Sequence, residues 1–562
     1  MTAVRRDPAD VIERRRDLTA VAALGALAAG VPLWLAAASG AIGIPGGDEW
    51  VYVRGAASLH ATGVIDMPGH TAASVGQLLL VQPLLWLSGG MPWAFTAFGL
   101  VMGLLGVASA YLLARRFVGV GSAVLVGLLV FAVPGFARQT ASFTTDVPAF
   151  ALGALCLLLG VRWIHGEGGR LTLIASLAIG VLALSIREFA LAAPVAVLAG
   201  AWIGNRPGQR LLLASASAVF AVGVVVVFLV ADAVPGRSVA AAATLALPVQ
   251  LGPMFLTLAA ALLPASILAV GRRIRSLDPV HVLAAVGLVA LIMVLAPEGP
   301  FLWGYLATAG GAPDAVLSGT REAVIPARAW ALEQQLALLA GILAATLAIR
   351  WVQRRWAGVG SLRGARSAVV RVARSREGPL LIFLVLYAGG LAAFGSMNGL
   401  YDRYIYPAVP VAAILLLRGL GRSAAPTRSA AFATAALAWL MAVAVAVAAN
   451  SLAYDAARWR AGEAAVALGY APQTVDAGYE WVGAHEAGPG TPQTHDYGLT
   501  WYDDLWPSFR PCAVVSNSPL SLPGYSLVRV DSAAYRQYLL VGPDQPLYLY
   551  GAADTRCPRP TP

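Results

Sequence analysis

The sequence predicts an all-α polytopic membrane protein that ends in a small α+β domain. The chain has 562 residues, of which 58% are hydrophobic and only 12% are charged. A soluble chain of this length needs more charged residues to cover its surface. Apolar runs of roughly 17 to 23 residues recur along the chain, and ~20 residues are needed to cross a hydrocarbon core about 30 Å thick. These observations exclude an ordinary soluble enzyme.

The basic residues of the chain lie mainly between the apolar runs. The formal net charge is +10, and the sequence contains arginine but no lysine. The arginines fall in short loops between apolar runs, which is the pattern that orients helices in a bilayer. Topology therefore accounts for the excess of basic residues, and we expect no nucleic-acid partner.

The arginine-rich loops predict about 13 transmembrane helices that alternate in direction. Residues 1–17 carry five arginines and are predicted to be cytoplasmic. The first apolar run is too long for a cleaved signal peptide and lacks an Ala-x-Ala end, so we interpret it as a retained helix. An odd number of spans puts the C-terminus outside the plasma membrane. The predicted spans are 18–40, 92–114, 119–136, 147–164, two short runs within 171–204, 211–234, 251–270, 280–296, one run between 330 and 350, 380–395, 405–417, and a last run that ends near 450.

The first outer loop, 41–91, is too long for a turn and too broken for one span. It contains two amphipathic pieces, 48–62 and 75–88, which we predict to lie along the membrane surface. The first piece begins with two adjacent carboxylates, Asp48 and Glu49. They are either an acidic cap for a helix N-terminus or a functional pair in which one acts as a general base or holds a cation and the other orients it.

The composition changes near residue 451, and we predict three parts. These are a cytoplasmic N-terminus at 1–17, a transmembrane domain at 18–450, and an extracytoplasmic domain at 451–562. Short β-like runs occur in the last part at 513–516, 525–530, 538–541 and 547–550. Cys512 and Cys557 also lie there, and an oxidising compartment makes them candidates for a disulfide.

Several other charged residues fall at span ends on the predicted outer side. Among them are Arg138, Asp146, Asp402 and Arg403. An ionised side chain costs ~2.5–3.5 kcal/mol at the bilayer centre on insertion scales and less near the interface, so each can be a tolerated interfacial charge. Asp146 is alternatively an N-cap for the span that it opens.

Two further sets of polar residues are interpreted as structural and not as parts of a site. Arg187 and Glu188 lie at a tight outer turn, where we expect them to pair with each other. His60, Asp66 and His70 are residue types that bind metals, but their irregular spacing favours ordinary loop residues.

The order of these motifs resembles the GT-C superfamily of membrane glycosyltransferases. The resemblance rests on a long first span followed by an acidic pair, two juxtamembrane helices, the Thr145-Asp146-Val-Pro148 opening of the fourth span, and the Asp402-Arg403-Tyr404-Ile-Tyr-Pro407 entry to a late span. It is closest to the family-39-like bacterial enzymes, which are related to protein O-mannosyltransferases and lipid A aminoarabinose transferases.

The resemblance implies transfer of a sugar from a polyprenyl-phosphate donor to an acceptor hydroxyl on the extracytoplasmic face, with inversion. The acceptor would be a cell-envelope lipid, polysaccharide or protein. Asp48 would be the general base, Glu49 would orient it, and Asp146 would support the acceptor. A divalent cation is a possible cofactor, and these three carboxylates would hold it.

The same resemblance implies arginines on the lipid phosphate. An arginine fork binds phosphate through two parallel hydrogen bonds. Arg403 is the first candidate and Arg138 the second, with Tyr404 beside Arg403 in the motif. Surrounding membrane lipids are the remaining expected partners.

A transporter or lipid flippase is the main alternative. That class predicts ionisable residues near the middle of the spans and broken helices at related places in two halves. The charges here collect instead at outer span ends, and the sequence has no evident internal repeat. A scaffold that binds envelope polymer would not need Asp48, Glu49 and Arg403 on the same side.

Overall fold

The computed structural model is mostly helical, with a small sheet near the C-terminal end. It describes residues 8–67, 74–204, 208–234, 247–271, 277–296, 299–310, 317, 319, 321, 323–356, 361–398, 400–418, 426–485, 506, 509–521, 523–530, 535–536, 544–553 and 557.

The first half of the described chain contains eleven α-helices, numbered α1 to α11. They are α1 (Pro8–Gly25), α2 (Val31–Ser39), α3 (Glu49–Thr62), α4 (Val75–Ser88), α5 (Trp93–Arg115), α6 (Val120–Phe131), α7 (Phe136–Thr140), α8 (Asp146–Ile164), α9 (Arg170–Leu184), α10 (Ala192–Gly204) and α11 (Arg210–Ala233). A π-helical segment, Ala26–Gly30, joins α1 to α2, and a 3₁₀ segment, Glu188–Leu191, precedes α10.

The second half continues the bundle and adds the sheet. Its α-helices are α12 (Leu247–Ala261), α13 (Leu263–Gly271), α14 (Pro279–Leu295), α15 (Tyr305–Ala309), α16 (Ala327–Trp356), α17 (Leu362–Ala373), α18 (Gly378–Asn398), α19 (Ala408–Arg418), α20 (Thr427–Ala467) and α21 (Tyr479–His485). Two 3₁₀ segments, Asp402–Ile405 and Pro472–Thr474, precede α19 and follow α20.

Fewer helices than predicted are long enough to cross a membrane. Within the described residues six helices qualify, or up to eight if each bent pair forms one span: Ile12–Ser39, Trp93–Arg115, Asp146–Ile164, Arg210–Ala233, Ala327–Trp356 and Thr427–Ala467, with the pairs Gln250–Ala261 plus Leu263–Gly271 and Arg366–Ala373 plus Gly378–Ala393. The predicted number of thirteen is not confirmed, and the orientation stays a prediction.

The difference arises because several predicted spans are short or broken helices. The predicted run 119–136 is one example, since α6 ends at Phe131 and Gly135 follows with a left-handed φ of 85°. A Cβ at Gly135 would lie 2.1 Å from the Tyr305 ring. The chain therefore turns at this glycine, and the separate helix α7 begins after it.

Exposed apolar side chains support burial of the bundle in a membrane. Leu211, Val219 and Leu229 on α11 are 80%, 72% and 64% exposed. Large contiguous apolar surfaces of this kind mark contact with a membrane or a partner. On the described chain, α11 is therefore best explained as a helix that faces lipid.

Helix α20 links the bundle to the C-terminal part. It has 41 residues, which corresponds to a length of about 60 Å, roughly twice the hydrocarbon thickness. The change in composition near residue 451 falls inside this continuous helix. The part of α20 that follows this change carries Asp455 and Arg458.

The C-terminal strands form one four-stranded sheet and one two-stranded sheet. They are β1 (Val475–Asp476), β2 (Ala513–Ser516), β3 (Tyr525–Val530), β4 (Tyr535–Arg536), β5 (Asp544–Gln545) and β6 (Tyr548–Ala552). The larger sheet has the order β1-β2-β6-β3, with β1 parallel to β2 and the other pairs antiparallel; β4 pairs with β5. The predicted strands at 513–516 and 525–530 are confirmed, whereas 538–541 lies outside the described residues.

The C-terminal part is held by a disulfide and by aromatic packing on α3. Cys512 and Cys557 are bonded, with their Cα atoms 5.4 Å apart. The Trp50 ring lies 5.8 Å from the rings of both Tyr479 and Trp506. A Cβ at Gly483 would lie 2.3 Å from the Trp50 ring, so α21 approaches α3 closely because it has a glycine there. The C-terminal part therefore contacts the helix that begins at the acidic pair.

Candidate active site

Asp48 has an exposed carboxylate beside an arginine. It is the N-cap residue of α3, but its side chain makes no capping hydrogen bond. The side chain is 57% exposed, and its Oδ2 lies 3.8 Å from Nη2 of Arg403. Of the two interpretations of this carboxylate, the structure therefore does not support a helix cap.

Arg403 lies in an ion-paired group that we name the open cluster: Asp48, Asp146, Arg187, Arg403 and Tyr404. Nε of Arg403 lies 3.1 Å from Oδ2 of Asp146, and Nε of Arg187 lies 3.3 Å from Oδ1 of the same carboxylate. Nη2 of Arg187 donates a hydrogen bond of 2.8 Å to the Tyr404 hydroxyl. Both guanidinium groups stack near the Tyr404 ring, 5.3 Å from its centroid for Arg187 and 5.6 Å for Arg403.

Four separate chain segments bring the open cluster together. Asp48 directly precedes α3, Asp146 starts α8, Arg187 follows α9, and Arg403 and Tyr404 lie in the 3₁₀ segment before α19. The side chain of Asp146 is 5% exposed, and the two arginines neutralise it. A buried carboxylate is stable in its ionised form only because it is paired with positive charges.

Asp402 fixes the 3₁₀ segment that carries Arg403. Its Oδ2 accepts a hydrogen bond of 2.8 Å from the Leu306 N–H, and its own N–H donates to the Trp303 carbonyl over 2.9 Å. Burial raises the pKa of the Asp402 carboxyl to about 7, although the hydrogen bond from the Leu306 N–H and the charge of Arg403 act against the rise. The segment is therefore anchored to the 303–306 region rather than held as a free loop.

Glu49 has the opposite environment from Asp48. It is 4% exposed, and its carboxylate accepts hydrogen bonds from the N–H groups of Gly46 and Phe143. Burial raises the pKa of Glu49 to about 7, even though Arg138 and both N–H groups favour the charged form. Glu49 therefore lies away from solvent and connects the 46–49 turn to the segment before α8.

Glu49 adjoins a second group of charges, which we name the buried network: Glu49, Arg138, Asp455, Arg458 and Glu480. Arg138 pairs with Asp455 over 2.6 Å, and Arg458 pairs with Asp455 and Glu480 over 2.5 Å each. Arg138 lies in α7, 317 residues before Asp455 in α20, whereas Glu480 lies in α21, which follows α20 closely. The buried network therefore joins α7, α20 and α21 on the buried side of the Asp48-Glu49 pair.

The two glycines before Asp48 bring the backbone against this network. A Cβ at Gly46 would lie 1.7 Å from Nη2 of Arg138, so no larger residue fits there. The Gly47 N–H donates to Oε1 of Glu480, and Gly47 has a left-handed φ of 61°. The buried network therefore sets the position of the backbone immediately before Asp48.

The structure divides the predicted phosphate-binding residues between the two groups. Arg403 and Tyr404 lie in the open cluster, whereas Arg138 lies in the buried network and is 3% exposed. Arg138 also donates to the Ser142 hydroxyl over 2.6 Å. Its burial and its partners favour a positioning role for Arg138.

Sequence reasoning missed Arg187, Asp455, Arg458 and Glu480. Arg187, which the sequence predicts to pair with Glu188, contacts Asp146 and Tyr404 in the open cluster. Asp455 and Arg458 are three residues apart, a spacing that places both on one helix face. That spacing was the available signal, and it is recognisable only once α20 is known to continue past residue 451.

The carboxylates of the site do not fit a divalent cation. Asp146 lies between two arginines, Glu49 accepts two backbone hydrogen bonds, and Asp48 faces Arg403. In the part of the chain that the structure describes, no group of three His, Cys, Asp or Glu side chains is arranged to hold a metal ion. Asp66 pairs with Arg54 over 2.7 Å, and His70 lies outside the described residues. We therefore derive no step through a metal.

Comparisons with known proteins identify structural neighbours only. No family model and no curated protein matches the sequence. The structure is similar to that of ArnT from Cupriavidus metallidurans bound to undecaprenyl phosphate, with a TM-score of 0.43 and 14% identity over 94% of this chain and 97% of that chain. For the apo state of ArnT the TM-score is 0.39, at 15% identity over 93% and 97% of the chains.

ArnT is a lipid A aminoarabinose transferase of the GT-C superfamily, the group that the sequence resembles. The likeness is too weak to transfer an activity to this chain.

Proposed function

We propose that this protein is a membrane glycosyltransferase that moves a sugar from a polyprenyl-phosphate donor to an acceptor hydroxyl, at the predicted extracytoplasmic face of the plasma membrane. The observation that carries the proposal is the exposed Asp48 carboxylate, 3.8 Å from the Arg403 guanidinium. A carboxylate suited to act as a base and a guanidinium suited to bind phosphate lie side by side there. The described residues around it include six helices that are long and apolar enough to cross a membrane.

The reaction needs one base, and Asp48 is suited to that role. The acceptor oxygen forms a bond to the anomeric carbon while the bond from that carbon to the phosphate oxygen breaks. The proton of the acceptor goes to Asp48, and the electron pair leaves with the phosphate. Attack from the side opposite the leaving group inverts the anomeric centre. A phosphate leaves without a strong acid, so the paired carboxylates of a glycosidase are not required.

Arg403 is suited to the leaving phosphate. Asp146 holds its Nε at 3.1 Å and thereby orients the plane of the guanidinium. In the proposed complex the Nη groups bind the phosphate and stabilise the charge that develops as the bond breaks. Arg187 and Tyr404 support Arg403 from the buried side, and Arg187 adds a second positive charge. Contact between Arg138 and the phosphate is a weaker proposal, because Arg138 is buried against Asp455.

The test is transfer of labelled sugar from a panel of polyprenyl-phosphate sugars in membranes that contain the protein. We expect Asp48→Asn to lower transfer by about 10²–10⁴-fold, the usual contribution of a positioned general base. Asp278→Asn is the matched control, because Asp278 caps α14 through a bond from the Val280 N–H and asparagine caps equally well. Equal transfer by wild type and Asp48→Asn at equal protein level would remove Asp48 as the base.

One observation favours a second candidate, a lipid transporter. The α12–α13 pair is bent by 70° at a short break, and broken helices are typical of transporters. If every donor fails as a substrate, a lipid flip assay on the same membranes distinguishes the two functions, because only a transporter moves labelled lipid between leaflets without transfer.

A further inference from the structure

A groove lies at the other end of α19 from the open cluster. It has a volume of about 530 Å³ and is bordered by α12, α16, α18 and α19. Its apolar lining includes Leu258, Ala344, Leu347, Leu384 and Leu415. It follows α16 from Ala344 to Arg355, a rise of 11 steps, which is about 16 Å at 1.5 Å per residue. The dimensions suit one chain of a lipid.

Charged residues lie at only one end of the groove. Arg355 and Arg418, the last-turn arginines of α16 and α19, are there together with Glu377 and Ser375. Arg418 pairs with Glu377, and its side chain is 32% exposed. Arg355 stacks against Trp351, 5.9 Å from the ring centroid. This end of the groove, which we call its mouth, has a net positive charge because it carries two arginines and one glutamate.

The neighbouring helix α17 places the mouth at the level of lipid headgroups. The axis of Arg366–Ala373 is bent by 109° from that of α18, so α17 runs almost at right angles to a candidate span. Helical periodicity puts Ala368, Val369 and Val372 on one face of α17, with Arg366 and Arg371 outside it. A short basic amphipathic helix in this orientation is typical of the membrane interface.

We propose that this groove is a binding site for an anionic phospholipid, with one acyl chain between α12, α16, α18 and α19 and the phosphate on Arg355 and Arg418. Basic pockets between membrane helices on the cytoplasmic side bind anionic headgroups in this manner. An arginine fork matches the phosphate geometry. In this site Glu377 competes with the phosphate for Arg418. The proposal does not depend on the proposed transferase activity.

The test measures binding of phosphatidylglycerol and phosphatidylcholine to the full chain in detergent by native mass spectrometry. We expect the wild type to prefer phosphatidylglycerol. The double variant Arg355→Gln/Arg418→Gln should lose about tenfold in affinity, equivalent to ~1.4 kcal/mol. Arg354→Gln is the matched control, because Arg354 is an exposed arginine of α16 outside the lining of the groove. It should bind as the wild type does.

Two further variants keep the test independent of misfolding. Ala344→Phe fills the groove without a change of charge and should weaken binding of phosphatidylglycerol. Glu377→Gln removes the competitor of the phosphate and should strengthen it, a gain that an unfolded protein does not show.

Three results would overturn the proposal. One is equal binding of the two phospholipids by the wild type. Another is unchanged binding of phosphatidylglycerol by the double variant Arg355→Gln/Arg418→Gln and by Glu377→Gln. The third is preference for polyprenyl phosphate or for inorganic phosphate alone over phosphatidylglycerol, because either would mean a different ligand.

Discussion

Asp48 and Glu49 are neighbours in the chain, yet they belong to different regions of the molecule. The Asp48 side chain is 57% exposed and faces Arg403, whereas Glu49 is 4% exposed and bonds to backbone N–H groups. The open cluster has a member accessible to a ligand, and the buried network joins α3, α7, α20 and α21. Two carboxylates of the same charge therefore differ in exposure and in partners, and packing makes that difference. In the proposed function the exposed carboxylate acts as the base, and the buried one positions the backbone beside it.

The largest expected effect is the loss of stability when the buried network loses an arginine. Arg458→Leu leaves Asp455 and Glu480 without their shared partner in a buried site, which costs ~3–5 kcal/mol in free energy of unfolding. Thermal unfolding of the purified protein in detergent measures the loss. Arg460→Leu is the control, because Arg460 is an exposed arginine on the same helix that bonds to the Ser39 carbonyl. Equal unfolding temperatures for the two variants would show that the network is not stabilising.

The next effect is a pH dependence of stability from Glu49. Its pKa is about 7 in the folded protein against 4.5 for an exposed glutamate. Between these values the folded state binds more protons than the unfolded state, so the free energy of unfolding falls as pH rises. The full change is on the order of 3 kcal/mol. Unfolding curves from pH 4 to pH 8 measure it.

The variant Glu49→Gln isolates this contribution. Glutamine does not titrate, so the Glu49 part of the slope should disappear. Its amide hydrogens also face N–H donors, which should lower stability at all pH values by ~1–3 kcal/mol. Glu463→Gln replaces an exposed glutamate and should leave the slope unchanged. Identical slopes for Glu49→Gln and wild type would assign the pH dependence to another group.

The smallest expected effect concerns Arg403 in the open cluster. Arg403→Lys keeps the charge but loses the planar fork, so the apparent KM for the donor should rise about tenfold, or ~1.4 kcal/mol, with little change in stability. Steady-state transfer at varied donor concentration measures it. Arg54→Lys serves as control, since Arg54 pairs with Asp66 at the surface. An unchanged KM would mean that Arg403 acts only as a point charge or does not touch the donor.

Apolar length in the sequence was sufficient to predict a mostly helical polytopic protein and the positions of several long helices. Apolar length predicted Trp93–Arg115, Asp146–Ile164 and Arg210–Ala233 almost to the residue, because about 20 apolar residues between arginines have few alternatives to a membrane helix. Its disulfide candidates, Cys512 and Cys557, are bonded. The predicted span 119–136 is instead a helix that ends at Phe131 and a turn at Gly135, because a helix followed by a glycine turn has the same apolar composition as a span.

Only the tertiary structure decided which charges belong together. Asp146, Arg187 and Arg403 are separated by 41 and 216 residues, and no local pattern relates them. Their contacts arise because helix ends from distant parts of the bundle meet at one place. Exposure likewise depends on those neighbours, so two adjacent carboxylates that look equivalent in sequence have different environments. The sequence limits the types of residue available for chemistry, and packing selects among them.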